Sequence, residues 1–137
     1  MNLKNVVNNT SIIKENRRIF DSPFILLYYI YMGYVYLIQD INNDTYKIGV
    51  TKGDPKTRLK KLQTGNSTEL ILRHVFETDY PFRLETMLHN RYSHWKEMNE
   101  WYALPFDIVK SWGDICNELN NIILVMMDNP FFNKNLK

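Results

Sequence analysis

Apolar and polar residues alternate in two short runs of the chain that are separated by a pair of asparagines. The segment GYVYLIQDINNDTYKIG begins at Gly33 and contains both runs, with Asn42 and Asn43 between them. Successive side chains of a strand point to opposite faces of a sheet, and asparagine tolerates the positive φ that tight hairpin turns need. The pattern therefore predicts a β-hairpin with a two-residue Asn-Asn link.

Pairing across this link sorts the hairpin side chains into two faces. The apolar face contains three cross-strand pairs: Gln39–Tyr46, Leu37–Ile48 and Val35–Val50. The other face contains three more: Tyr34–Thr51, Tyr36–Gly49 and Ile38–Lys47. We expect Tyr34, Tyr36 and Lys47 to converge on one surface, where Gly49 leaves room for a ligand to approach the backbone. The alternative is a half-hydrated hairpin with ordinary cross-strand tyrosines.

The segment after the hairpin, GDPKTRLKKLQTG, carries clear helix signals. Asp54 is a suitable N-cap, Pro55 suits the first helical position and Gly65 suits the C-terminal stop. Leu59 and Leu62 give the helix a buried stripe. The basic residues form an exposed surface that we predict to bind DNA: Lys56, Arg58, Lys60 and Lys61.

The rest of the chain predicts two more strands and two more helices. ELILRHVFE predicts a third strand, and YPFRLETMLHNRYSHWK predicts a helix with Leu84, Leu88 and Trp95 at core spacing. EWYAL predicts a short fourth strand, and Pro105 opens a C-terminal helix. The order β-β-α-β-α-β-α predicts a small α/β (α+β) layered domain, with a central, mostly antiparallel sheet flanked by helices.

Composition and charge narrow the class of protein. A net charge of +2 over 137 residues is only mildly basic, so nucleic-acid binding has to be argued from local clusters. The single cysteine, Cys116, excludes an internal disulfide and fits a reducing compartment. It lies in an apolar helical pattern, which favours a small buried hydrophobic residue over a nucleophile.

Residues 1–31 look like an N-terminal extension. The uncharged run from Phe24 to Ile38 follows basic residues and mimics a signal peptide, but it is shorter than the ~20 residues of a spanning helix and continues into the hairpin. We therefore expect an intracellular protein, cytoplasmic or nuclear, with no signal peptide and no transmembrane segment. We expect residues 24–31 to pack on the C-terminal helix and to add stability but no chemistry.

Four ordered elements between residues 32 and 105 resemble the GIY-YIG nuclease superfamily. YVYLI matches the first family element with Tyr36 at the family tyrosine, and YKIG matches the second, with Lys47 where a second tyrosine usually stands. Arg58 matches the arginine of the first helix, and Glu85 in RLETMLHNRY matches the glutamate of a later helix. The closing NEWYAL resembles a short phage and viral branch usually described as DNA-binding.

The resemblance implies hydrolysis of DNA phosphodiester bonds with one divalent metal, Mg²⁺ or Mn²⁺. Tyr36 would be the general base; tyrosine ordinarily titrates near ~10, so a cation such as Lys47 would have to assist it. Arg58 would bind a phosphate oxygen through its forked donors, and Glu85 would hold the metal. His89, four residues after Glu85, would orient it or touch phosphate; the alternative is a surface pair worth about 0.2–0.5 kcal/mol.

Three functions stay open at this stage. The first is a metal-dependent endonuclease, the second a catalytically inactive DNA-binding module of the same fold, and the third an interaction domain that uses residues 106–127 as an amphipathic partner helix. We expect DNA as the partner and no membrane, and strong sequence specificity would require a homodimer or a partner protein. The predicted organisation is an extension over 1–31, a GIY-YIG-like nuclease or DNA-binding domain over 32–105 and a C-terminal helical segment over 106–137.

Overall fold

The computed structural model describes residues 31–129, which form one four-stranded sheet and three helices. The strands are β1 (Gly33–Asp40), β2 (Thr45–Thr51), β3 (Leu70–Thr78) and β4 (Trp101–Tyr102). The helices are α1 (Pro55–Thr64), α2 (Pro81–Arg91) and α3 (Phe106–Met127), with a 3₁₀ turn at Ser93–Trp95. The strands pair antiparallel in the order β3-β1-β2-β4. The predicted α+β layered fold and its β-β-α-β-α-β-α order are confirmed.

Two predictions about the N-terminal part of the chain concern residues 1–30, which lie outside the described residues. They are the extension itself and the packing of residues 24–31 on the C-terminal helix. The division of the chain at residues 31 and 105 also stays a prediction. Among residues 31–129, no helix is long and apolar enough to cross a membrane.

The hairpin has the predicted register but a different turn. All six predicted cross-strand pairs are present, from Tyr34–Thr51 to Gln39–Tyr46. The two-residue Asn-Asn link is wrong, because β1 ends at Asp40 and β2 begins at Thr45, which leaves a four-residue turn. The positive φ, 50°, belongs to Asp44. Links of two and four residues with the same centre give the same register, so the faces were still predicted correctly.

The first face of the sheet carries the main core. Side chains of β1 and β2 pack there against α2 and α3, and the buried members include Val35, Leu37, Ile48, Leu84, Leu88, Trp112, Cys116 and Ile123. One apolar stripe of α3 is therefore buried inside the domain, whereas Ile122, Leu124 and Val125 near its end are exposed. The predicted burial of Cys116 is confirmed.

The second face carries a smaller core under α1. Tyr36, Ile38 and Leu70 are buried there, with Leu59 and Leu62 of α1 packed against them. The helix begins as predicted, since the Asp54 carboxylate accepts a hydrogen bond from the Lys56 backbone N–H at 3.1 Å and Gly65 is the C-cap. Because α1 and α2 pack against different cores, they cover opposite faces of the sheet.

Two further expectations are wrong. The second face is not kept free of packing, since α1 covers it and leaves Tyr36 only 1% exposed. The helix predicted over residues 80–96 is shorter, because α2 ends at Arg91 and Trp95 lies in the 3₁₀ turn that follows. Trp95 still packs against the main core, as its spacing predicted.

Candidate active site

The ring of Tyr36 occupies the space above Gly49. These residues face each other across β1 and β2. A methyl group built on Gly49 would overlap the Tyr36 hydroxyl and would lie 2.8 Å from its Cε1 atom. The predicted room for a ligand at Gly49 is therefore wrong, because the tyrosine ring fills it. Gly49 lets the Tyr36 side chain lie flat across β2.

On the side away from β1, strand β2 is paired along only part of its length within residues 31–129. The two residues of β4 pair only with Tyr46 and Lys47, so β4 stops before Ile48. Lys47 is half-buried, and its ammonium group forms an ion pair with the Glu100 carboxylate, next to β4. A cation and a carboxylate therefore stand where the unpaired edge of β2 begins.

Helix α2 presents Glu85 and His89 at this same edge. Leu84 and Leu88 anchor the helix in the main core, which turns the residues that follow each of them toward the margin of the sheet. The Nε2 atom of His89 lies 4.0 Å from the Glu85 carboxylate, and its Nδ1 atom shares a hydrogen bond with the Tyr102 hydroxyl. The His89 ring also hydrogen-bonds the Ile48 backbone. We call Lys47, Glu85, His89 and Glu100 the β2-edge cluster.

Charges in the β2-edge cluster act on each other. Burial raises the pKa of Glu85, the neighbouring Glu100 carboxylate raises it further, and Lys47 opposes both. The hydrogen bond and charge of Lys47 lower the pKa of Glu100. Lys47 thus interacts mainly with Glu100. The negative charge of ionised Glu85 is only weakly balanced by positive charge nearby.

His89 is held as a neutral imidazole near neutral pH. Burial lowers its pKa, while Glu100 and the Ile48 backbone hydrogen bond act in the opposite direction. A neutral ring carries one N–H and one acceptor nitrogen. Because the Nδ1 atom is bonded to Tyr102, the Nε2 atom is the ring nitrogen that faces Glu85. Tyr102 is therefore a positioning residue for His89.

Arg58 lines a separate groove on the other face of the sheet. This groove, about 400 Å³ in volume, lies between the end of β2 and α1, and we call it the β2–α1 groove. Its lining includes Lys52, Arg58 and Lys61, with Asp54 as its carboxylate. The Nε–H group of Arg58 is buried and has no hydrogen-bond partner among residues 31–129. Leaving such a group unpaired costs about 1–3 kcal/mol.

The structure thus divides the predicted site residues into groups. Lys47, Glu85 and His89 meet in the β2-edge cluster. Tyr36 lies on the second face, and Tyr34, half-buried, precedes it on that face in β1. The predicted basic surface is also divided, because Arg58 and Lys61 line the β2–α1 groove, whereas Lys56 and Lys60 do not.

Tyr102 and Lys52 were not among the residues predicted around the site, and the sequence offered Glu100 there only as a second acidic group or as a capping or pairing residue. Glu100 and Tyr102 contact Lys47 and His89 from 53 and 13 residues away along the chain, a pairing that only the packing of β4 creates. Lys52, at the end of the hairpin, lines the β2–α1 groove. Lys52 stands directly after β2 and just before the basic helix α1, so its place near the other basic residues could have been predicted from the sequence.

The donors at the β2 edge fit one water-rich divalent ion. Mg²⁺ is commonly bound through one or two carboxylates, with water as its other ligands. Among residues 31–129 no group of three or more His, Cys, Asp or Glu side chains is arranged to hold a metal. Glu100 is paired with Lys47, so Glu85 is the carboxylate of this edge that such an ion would meet. A divalent cation would balance the negative charge of ionised Glu85, which burial and the nearby Glu100 carboxylate disfavour.

Basic residues clustered along one helix are the electrostatic footprint expected of a nucleic-acid-binding protein. Comparison with protein families supports this class. The T5orf172 domain model matches residues 33–118, from the first strand into α3, and the chain belongs to that family. The domain is found in phage-derived, nuclease-related proteins, so the chain is a DNA-binding or nuclease-related protein. Searches of curated proteins and of solved structures gave no match.

Proposed function

We propose that this protein is a metal-dependent DNA endonuclease of the GIY-YIG type. The main support for the proposal is that Lys47, Glu85 and His89 lie together at the edge of β2 that has no paired strand among residues 31–129 beyond Lys47. The ring of Tyr36 lies across Gly49 of the same strand. Membership in the T5orf172 family and the ordered resemblance to GIY-YIG nucleases support the same function.

Each residue has a distinct role in the proposed reaction. The deprotonated oxygen of Tyr36 would accept a proton from the attacking water, with Lys47 as the assisting cation. Arg58 holds a phosphate oxygen of the DNA backbone. Glu85 holds one Mg²⁺ or Mn²⁺ ion, with His89 beside it. When bound, such an ion supplies neutralisation of charge on the phosphate and the leaving oxygen.

A catalytically inactive DNA-binding module is the second candidate, and two observations favour it. Tyr36 is only 1% exposed, which leaves little room beside it for an attacking water. Lys47 is already paired with Glu100, which reduces the charge available to assist a tyrosine. The β2–α1 groove would serve this function without any change.

Incubation of the full chain with supercoiled plasmid separates these functions. We expect nicked or linear DNA in Mg²⁺ or Mn²⁺ and none in EDTA, with cleavage lost in Arg58→Ala and in Glu85→Ala. Cleavage that survives both substitutions would remove the site assignment. Salt-sensitive binding without cleavage would establish the inactive module, because phosphate contacts release counterions. No binding at low salt would contradict both.

A further inference from the structure

The β2–α1 groove has features that the proposed reaction does not use. The reaction needs one arginine at a phosphate, yet Lys52 and Lys61 line the same groove as Arg58. Its carboxylate, Asp54, is occupied by α1, because it accepts hydrogen bonds from the Lys56 backbone and the Thr57 hydroxyl. Arg58 and Lys61 therefore place positive charge in the groove that helix capping does not explain.

The lysines of α1 are divided by the geometry of the helix. Arg58 and Lys61 are three residues apart and therefore share a face, which is turned toward the end of β2. Lys56 and Lys60 are four residues apart and lie on another face, outside the groove lining. The two lysines at positions 60 and 61 are neighbours in sequence and both exposed, yet only Lys61 borders the groove.

The chemistry of Arg58 suits a phosphate in the groove. Its Nε–H group is buried and has no partner in the described part of the chain, so no described residue holds the guanidinium through that atom. A phosphate group provides oxygen acceptors and negative charge together, and the forked donors of arginine suit it.

We propose that the β2–α1 groove binds a backbone phosphate of DNA through Arg58 and Lys61 together. This proposal rests on the proposed function and sharpens it. It assigns the DNA contact to one face of α1, and it separates Lys61 from Lys56 and Lys60. DNA then passes along the end of β2, the strand that carries Lys47 and Gly49.

The test compares two neighbouring substitutions in the full chain. Binding of a fluorescently labelled DNA duplex is followed by anisotropy across a salt series, with EDTA present so that the DNA stays intact. Lys61→Gln should weaken binding several-fold and should reduce the slope of log affinity against log salt by about one, the value for one lost phosphate contact. Lys60→Gln removes the same charge from the adjacent position and should leave that slope nearly unchanged.

Each result decides a different question. A smaller slope for Lys61→Gln than for Lys60→Gln supports the groove. Equal losses for both variants overturn it, because α1 would then attract DNA only through its total charge, while the proposed function would stand. Absence of wild-type binding at low salt overturns the proposed function and the groove together. Both lysines are exposed, so matching thermal unfolding of the variants is expected and checks that the fold is intact.

Discussion

Gly49 and Tyr36 form one structural unit at the residue scale. The Tyr36 ring occupies space that a side chain at position 49 would fill, so a tyrosine at position 36 requires a glycine at position 49. Gly49→Ala should lower the free energy of unfolding by about 1–3 kcal/mol, the usual cost of overpacking, measured by urea denaturation. Gly53→Ala is the control, because a methyl group there meets no atom within 4 Å, and its effect should stay within ~0.5 kcal/mol. Equal effects at the two glycines would contradict the packing.

Tyr36→Phe separates the ring of this tyrosine from its hydroxyl. The ring still fills the space over Gly49, so the free energy of unfolding should change by no more than ~1 kcal/mol. If the hydroxyl is the general base, plasmid cleavage should fall on the order of a hundredfold or more. Tyr80→Phe, which removes a hydroxyl next to the main core, should cleave normally. A Tyr36→Phe variant with the wild-type cleavage rate would remove the general-base role.

At the scale of elements, the turn between β1 and β2 depends on one carboxylate. Asp40 accepts hydrogen bonds from the backbone N–H groups of Asn42 and Asn43 and from the Asn43 side chain. Burial alone would raise the pKa of Asp40, but these hydrogen bonds and one from Thr68 outweigh it and lower the pKa below its usual 3.8. The folded protein thus binds the Asp40 proton more weakly than the unfolded chain does.

This difference predicts the pH dependence of Asp40→Asn. The stability that the carboxylate contributes is fully present above its unfolded pKa and is lost as pH falls through the lower folded pKa. The wild type should therefore be more stable than Asp40→Asn at pH 7, and the difference should shrink below about pH 4. Denaturant unfolding of both proteins between pH 7 and pH 3 measures it. A difference that does not change over this range would show that the charge has no part in the turn.

Elements whose signals are local could be predicted from the sequence. Alternation fixed the register of the hairpin, and Asp54, Pro55 and Gly65 fixed the ends of α1. The turn was mispredicted because the Asp40 carboxylate supports a longer loop than Asn42-Asn43 suggested. The burial of the second face depends on α1 folding back over β1, which alternation within a hairpin cannot reveal.

The candidate site followed the same division between local and long-range signals. Glu85 and His89 were predicted together because they are four residues apart on one helix. The ion pair of Lys47 with Glu100 was not predicted as such, because it joins residues 53 positions apart. The division of the α1 lysines between two faces was within reach, since a period of 3.6 residues places Lys61 with Arg58.

At the scale of the whole molecule, the single thiol reports on the integrity of the main core. Cys116 is buried, and this burial raises its pKa to about 12, so the reactive thiolate is scarce at neutral pH. The native protein should react very slowly with a disulfide reagent such as dithionitrobenzoate at pH 8, and the urea-unfolded chain should react completely. Rapid stoichiometric labelling of the native protein would show that the core around α3 opens readily.

Glu85 at the β2 edge carries the central claim, and one rate comparison tests it directly. Single-turnover nicking of plasmid DNA in Mn²⁺ is measured for Glu85→Gln and for Glu118→Gln, with protein in excess and DNA fully bound. Glu118 is an exposed glutamate of α3 outside the site, so its variant removes the same charge. Glu85→Gln should bind DNA normally and nick it on the order of a hundredfold more slowly, while Glu118→Gln should match the wild type. Equal nicking rates for the two variants would show that Glu85 has no part in cleavage.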